Sequence, residues 1–336
     1  MGRGRRPLPS SFKNQTITTT KRETKMKKTL LALLSAVLLI TVTQPAQAED
    51  QKVLAIIDTA IDSSKFPQII HEVCFNTYKN SCPNKTNFME GKGAAAIATP
   101  PADSNNMSAY HGDAMVKAAL AINPNLKIVF IRYAEEYTAN KKVVYTNWAD
   151  SLRKSIDWVS KNSEKYSIDA LSISQSSINI PTWCTTDTVT INAVSSLNSK
   201  NVPVFAATGN DTNKTSVGFP ACVTGVVGVG SLTEQVDGGV RIGETQTNRG
   251  PGLDLLAVGG LSITKVNGAQ FNLGGTSGAA AISASAYIKN NTSKTFAEYL
   301  NSLTKESVKF VDYFTNPKNK TGIVFETARL VPVSSR

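Results

Sequence analysis

Acyl transfer needs a nucleophile, a base, a group that orients the base and a donor for the oxyanion. This chain of 336 residues places such groups at four separated points. Asp58 closes the apolar run Val53-Leu54-Ala55-Ile56-Ile57. His111 precedes Ala114, Met115, Ala118, Ala119 and Ile122, an apolar face at helical spacing. Asn210 lies in Thr208-Gly209-Asn210-Asp211, just past the run from Val202 to Thr208. Ser277 follows Leu273-Gly274-Gly275-Thr276 and opens a stretch of small residues. Each has an ordinary explanation when taken singly. Asp58 suits a turn after a buried strand, and His111 a core histidine. Asn210 suits a turn, and Ser277 the first turn of a helix behind a threonine cap. Their weight comes from where the intervening elements put them.

Those elements alternate. The apolar run over 53–58 reads as a strand buried on both faces, and 91–108, rich in Gly, Ala and Pro, as a mobile loop. A helix over about 111–122 leads to a strand over 126–133. There follow a helix over 148–162, a strand over 168–174, a helix over 186–199 and a strand over 202–208. Short apolar runs occupy 225–230 and 253–258, and a small-residue helix runs from about 277 to 289. Strands alternating with helices of this length imply right-handed crossovers. The expected fold is therefore α/β, a doubly wound, mostly parallel sheet with helices on both faces, in a single domain. In such a sheet, ligands bind outside the carboxyl ends of the strands. Asp58 and Asn210 sit at strand ends, while His111 and Ser277 open helices on that same side. The four groups are thus expected to converge.

The net charge of +11 invites a nucleic-acid reading, but its distribution argues against one. Residues 1–48 hold nine of the 36 Lys and Arg and one of the 25 acidic residues, leaving 27 basic against 24 acidic groups elsewhere. No basic stripe with interleaved aromatics survives, so nucleic acid is not an expected partner. The leader reads as a secretory signal over 26–48: Lys27-Lys28, an 11-residue apolar run from Leu30 to Ile40, and the small-residue site Ala46-Gln47-Ala48. That run is too short for a spanning helix, and no membrane span is expected after signal removal. Residues 1–25 precede a second Met and are set aside as an upstream extension. The remaining 49–336 form the expected folded domain, secreted to the cell exterior or the periplasm.

Export gives an even cysteine count meaning. Cys74 and Cys82, eight apart in a polar, turn-rich stretch, suit a local bridge, which leaves Cys184 to pair with Cys222. Neither C-x-x-C spacing nor a nearby histidine pair supports a zinc site, and no metal or cofactor is expected.

With these segments identified, a family resemblance emerges. VLAIIDTAI (53–61), the His111-Gly112 helix start, VPVFAATGND (202–211) with FPACVTGVVGVGSL (219–232), PGLDLLAVGG (251–260) and GGTSGAAA (274–281) resemble segments of the subtilisin-like serine proteases, in the family's order Asp, His, Asn, Ser. The resemblance spans 53 to about 290, some 70% of the chain. It implies Ser277 as nucleophile, His111 as base and then acid, Asp58 as its orienter, and Asn210 with the Ser277 backbone N–H as oxyanion donors. It also implies an extended polypeptide substrate bound between walls formed by Ser174-Gln175-Ser176 and Ala206-Ala207-Thr208-Gly209. The implied activity is that of a secreted serine endopeptidase. A catalytically weak or inactive binding protein on the same fold, or a serine hydrolase acting on esters, are the alternatives; the latter lacks a G-x-S-x-G elbow at Ser277.

The chain departs from the family pattern at Ala60 (usually Gly), at Asp113-Ala114 (usually Thr-His), and at Gly278 and Ala281 (usually Met and Pro). It also departs at Ser174-Gln175-Ser176-Ser177, usually Ser-Leu-Gly-Gly, which makes the expected pocket more polar. Only Glu49 to Lys52 separate the cleavage site from the first strand, so no prodomain is recognisable. Folding without one, or an inhibitor or folding partner supplied in trans, is the corresponding expectation.

Overall fold

The computed structural model describes residues 51–76, 81–96, 111–134, 137–139, 142–144, 148–237, 240–264, 270–273, 275–290, 295–311 and 323–331. The extension and signal peptide assigned to 1–48 lie outside them, as does most of the loop expected over 91–108. The described residues fall within one compact unit, Gln51–Arg336.

Strands β1 (Val53–Asp58), β2 (Ile69–Phe75) and β3 (Phe88–Glu90) precede helix α1 (His111–Ile122) and β4 (Lys127–Arg132). A short hairpin, β5 (Tyr137–Ala139) with β6 (Lys142–Val144), leads to α2 (Trp148–Asn162) and β7 (Ile168–Ile173). Then come α3 (Trp183–Thr186), α4 (Thr188–Ser199) and β8 (Val204–Ala207). The remainder comprises β9 (Val226–Asp237), β10 (Val240–Gly243), β11 (Leu255–Val258), β12 (Leu261–Thr264), β13 (Gln270–Leu273), α5 (Thr276–Asn290), α6 (Phe296–Ser302), β14 (Lys305–Val311) and β15 (Ile323–Leu330).

An 11-stranded sheet in the order β10-β14-β15-β11-β9-β8-β7-β1-β4-β2-β3 organises the unit. Every pairing from β2 through β4, β1, β7, β8, β9 and β11 is parallel. Antiparallel pairing is confined to the margins, at β2–β3, β14–β15 and β9–β10. The α/β, doubly wound architecture expected from the sequence is the one observed.

The unbroken apolar run of β1 follows from this arrangement. Leu54 and Ile56 pack into one core with α1 and α5, while Val53, Ala55 and Ile57 pack into another with α2 and α4. A strand covered on both faces has no polar face to show. Burying each such Leu or Ile contributes about 1.5–3 kcal/mol. The small residues of α1 and α5 serve close packing, since Ser285 Oγ on α5 donates to the Ala119 carbonyl of α1 at 2.7 Å.

Connections from β1 through β2 to β4 run to one side of β1, and those to β7, β8 and β9 run to the other. The reversal falls beside β1, and at such a point the loops beyond the strand ends separate and leave a crevice.

Strand β2 also carries His71, whose ring stacks on Tyr166 (4.5 Å between centroids) and lies near Trp158 (5.9 Å). Its Nε2 also meets Glu90 Oε1 at 3.0 Å and Tyr166 Oη at 2.9 Å. Cys74, read as part of a turn-rich stretch, is likewise in β2. Both proposed bridges are present: Cys74–Cys82 ties β2 to the turn after it, and Cys184–Cys222 ties α3 to the turn before β9. Among the described residues, no helix is long and apolar enough to cross a membrane.

Candidate active site

Beyond the carboxyl ends of β1, β7 and β8 lies a cleft of about 270 Å³. Its lining includes His111, Ser174, Gln175, Ser176, Ala207, Gly209, Asn210 and Ser277. Asp58 stands behind His111 with only 1% of its surface exposed. Of the walls expected from sequence, only Thr208 and Ala206 are set back from the cleft surface; both are fully buried.

Asp58 Oδ1 collects three donors: His111 Nδ1 at 2.7 Å, the Thr59 backbone N–H at 2.7 Å and Thr59 Oγ at 3.2 Å. A carboxylate accepts, so the proton of this short bond sits on Nδ1, and Nε2 is left as the basic nitrogen. Three further links sew the chain after Asp58 to the first turn of α1. Thr59 Oγ1 accepts from the Gly112 N–H at 3.3 Å, Asp113 Oδ1 accepts from the Asp62 N–H at 2.9 Å, and Lys65 Nζ donates to Asp113 Oδ2 at 3.1 Å. Gly112 is required by the closeness of the two segments, because a Cβ there would stand 2.4 Å from the Ala60 carbonyl oxygen. Burial raises the Asp113 carboxyl above its ordinary value and outweighs the opposing effects of the Asp62 N–H and Lys65. Lys65, which burial alone would lower, is raised by Asp113 and Asp62.

Ser277 is the second residue of α5 and is nearly buried. Its hydroxyl donates to the Ser174 carbonyl at 3.3 Å, and Ser174 Oγ returns a bond to the Ser277 carbonyl at 3.1 Å. In the first turn of a helix, a backbone N–H has no intrahelical acceptor, and the helix end carries partial positive charge. Asn210 is clamped beside it, its Oδ1 accepting from the Thr276 N–H and from Thr276 Oγ1, both at 3.1 Å. Those donors fix which end of the carboxamide is oxygen. The NH₂ end is the one left to act as a donor. Gly275, with φ of +110°, permits this approach, since a Cβ there would lie 2.9 Å from Asn210 Oδ1.

Sequence reasoning gave no part in the site to Thr59, Asp113, Thr276 or Asn248, although it noted Asp113 as a departure from the family pattern and Thr276 as a helix cap. Asn248 is fully buried and holds the loop that carries Asn210. Its Nδ2 donates to the Thr208 carbonyl (3.0 Å) and to Asp211 Oδ2 (2.8 Å), and its Oδ1 accepts from the N–H groups of Asp211 (3.0 Å) and Asn213 (2.9 Å). Thr59 and Thr276 sit next to residues the sequence did single out, and that adjacency was the one available signal. Asn248 offered none, being 38 residues from Asn210 in the chain. Among the described residues, no group of three His, Cys, Asp or Glu side chains is placed to hold a metal ion.

No protein-family profile and no curated protein sequence matches the chain. Solved structures do. A lanthipeptide protease superposes with a TM-score of 0.53 at 15% identity, covering 75% of this chain and 78% of its own. Proteases from Pseudoalteromonas arctica PAMC 21717 give 0.53 at 19%, covering 75% and 81%. The S41 psychrophilic protease gives 0.50 at 18% with the same coverage. At these identities the likeness is one of fold, and the fold is the subtilisin-like one.

Proposed function

We propose that the chain is a secreted serine endopeptidase acting on extended polypeptide. The observation that carries this reading is the pairing of a buried carboxylate with an imidazole, Asp58 Oδ1 to His111 Nδ1 at 2.7 Å, in one cleft with a helix-start serine and an oriented carboxamide. The likeness in fold to proteases and the two disulfides, which suit an oxidising compartment, support it.

In this reading Ser277 Oγ leaves the Ser174 carbonyl by rotation about χ1 and attacks the substrate carbonyl carbon, passing its proton to His111 Nε2. Asp58 keeps the imidazole in the required tautomer and stabilises the imidazolium as it forms. The carbonyl oxygen, now negative, is received by Asn210 Nδ2 and the Ser277 N–H, both preorganised by the bonds that hold Asn210 on Thr276. Collapse breaks the C–N bond, and the departing amine takes the proton from Nε2. Water then repeats the sequence on the acyl-enzyme, releasing the acid and restoring Ser277.

One observation favours the second reading, a fold used only for binding: the Ser277 hydroxyl is engaged by Ser174. At 3.3 Å that bond is long for O–H···O, so it exchanges readily. Hydrolysis of an unfolded protein such as casein by wild type and by Ser277→Ala separates the readings. The peptidase reading expects turnover to fall by several orders of magnitude in the variant. Equal rates, or no hydrolysis by wild type, refute it.

A further inference from the structure

We propose that the Ser176 side chain closes the slot beside the nucleophile and restricts the residue preceding the scissile bond to Gly, Ala or Ser. The inference rests on the peptidase reading above and names the substrate class of that same site.

Strands β7 and β8 pair in parallel as far as Ile173↔Ala206. Past that point the two chains separate as Ser174–Ser176 and Ala207–Gly209. Ser174 lies flush against Ser277 through its two hydrogen bonds, and Asn210 stands on the opposite chain. A carbonyl attacked by Ser277 with its oxygen on Asn210 therefore holds the preceding side chain over the gap between the two chains. What lies in that gap decides which side chains enter.

Ser176 lies in it. Its Oγ donates to the Thr208 carbonyl at 2.9 Å, bridging the two walls. A Cβ built on Gly218 would stand 2.1 Å from that hydroxyl, and one on Gly209 would stand 2.8 Å from it. The hydroxyl thus packs directly against two glycine backbones, in the space a longer substrate side chain would need. Beneath it the walls are joined by the Gly218 N–H to the Thr208 carbonyl (2.9 Å) and by reciprocal backbone bonds between Ser177 and Phe219 (3.0 and 2.8 Å). Above it, Gln175 is pinned, its Oε1 accepting from Tyr133 Oη and its Nε2 donating to the Ser176 carbonyl at 2.9 Å.

The backbone conformation does not demand a serine at 176. The positive-φ residues other than glycine are Lys85, Ser167, Asn201 and Thr212 among those described, so position 176 carries no such strain. The Thr208 carbonyl keeps two other donors, the Gly218 N–H and Asn248 Nδ2, when the hydroxyl is removed. Ser176→Gly should therefore fold and open the slot.

The experiment compares kcat/KM on peptide anilides that differ only in Ala or Phe before the scissile bond, for wild type, Ser176→Gly and Ser176→Ala. In parallel, a fluorophosphonate with no side chain at that position reports whether Ser277 is reactive at all. Wild type should favour Ala by at least about tenfold, the scale on which apolar pockets discriminate. The Phe-to-Ala ratio should rise about tenfold or more in Ser176→Gly and in the same direction, by less, in Ser176→Ala. The alanine variant keeps the test available should the glycine variant melt early. Labelling by the fluorophosphonate together with a wild-type preference for Phe, or with a ratio unchanged in both variants, overturns the inference and leaves the peptidase reading intact. Absence of labelling removes the peptidase reading, and the inference with it.

Discussion

The Asp58–His111 half of the cleft and the Ser277–Asn210 half line one cavity, yet different bonds hold them. In the first half the short Asp58–His111 bond is charge-assisted, and the supporting contacts include the Lys65–Asp113 ion pair. In the second half the described contacts that touch Ser277 and Asn210 are neutral, from Thr276 to Asn210 and between Ser174 and Ser277, and a carboxylate enters only behind them, where Asn248 Nδ2 donates to Asp211. Hydrogen bonds to charged groups contribute about 1.5–3 kcal/mol against roughly 0.5–1.5 for neutral ones. The first half should therefore respond to changes of charge and pH, and the second to changes of shape and of single donors.

Removing the charge is the severest way to probe the contrast. On the proposed peptidase reading, Asp58→Ala should lower turnover roughly 10⁴-fold, the scale on which an orienting carboxylate acts in serine-protease triads. Asp58→Asn should lose less. Its carboxamide oxygen is held at the Oδ1 position by the Thr59 N–H, where it still accepts from His111 Nδ1. The gap between the two variants then measures orientation apart from charge, and the loss in Asp58→Asn measures the charge. Equal losses would mean that geometry contributes nothing there.

On the neutral side, Asn210→Ala should cost about 100- to 1,000-fold in kcat with little change in KM, the effect of deleting one oxyanion donor. Melting temperature should fall by only a few degrees, since Asn210 is exposed and its partner Thr276 loses an acceptor for first-turn donors. A melted protein with normal turnover per folded molecule would return Asn210 to the role of a turn residue.

These residues were visible in the sequence for a physical reason. The continuous apolar run before Asp58 reports a strand covered on both faces, and the alternation of such runs with helical periodicity fixes which ends face the cleft. The margins of the sheet were harder to read. On β2, His71 and Glu72 interrupt the apolar run: the strand lies one place from the sheet edge, Ile69 to His71 are half covered or exposed, and the buried Glu72 is satisfied by the Ala95 N–H. The antiparallel pair β14–β15 lies beyond the last segment that sequence reading assigned. Contacts distant in the chain, such as Asn248 with Thr208 and Lys65 with Asp113, have no local signature. Tertiary proximity creates them.

The smallest expected effect sharpens the charged half. Burial raises the Asp113 carboxyl above its ordinary value. Between the ordinary and the raised value, the folded protein holds a proton that the unfolded chain has released, so this group makes stability fall as pH rises through that window. Asp113→Asn should flatten that part of the stability–pH curve, as read by denaturant melts from about pH 4 upward, while its oxygen still accepts from the Asp62 N–H. A steeper curve in the variant would contradict the assigned direction.

The central claim is that Ser277 is the residue these two halves activate. Treating the native protein with a fluorophosphonate and mapping the adduct by peptide mass spectrometry tests it most directly. The account predicts a single modified residue, Ser277, with modification abolished by prior unfolding and slowed in His111→Ala. Modification at another serine, or the same slow rate in folded and unfolded protein, would contradict it.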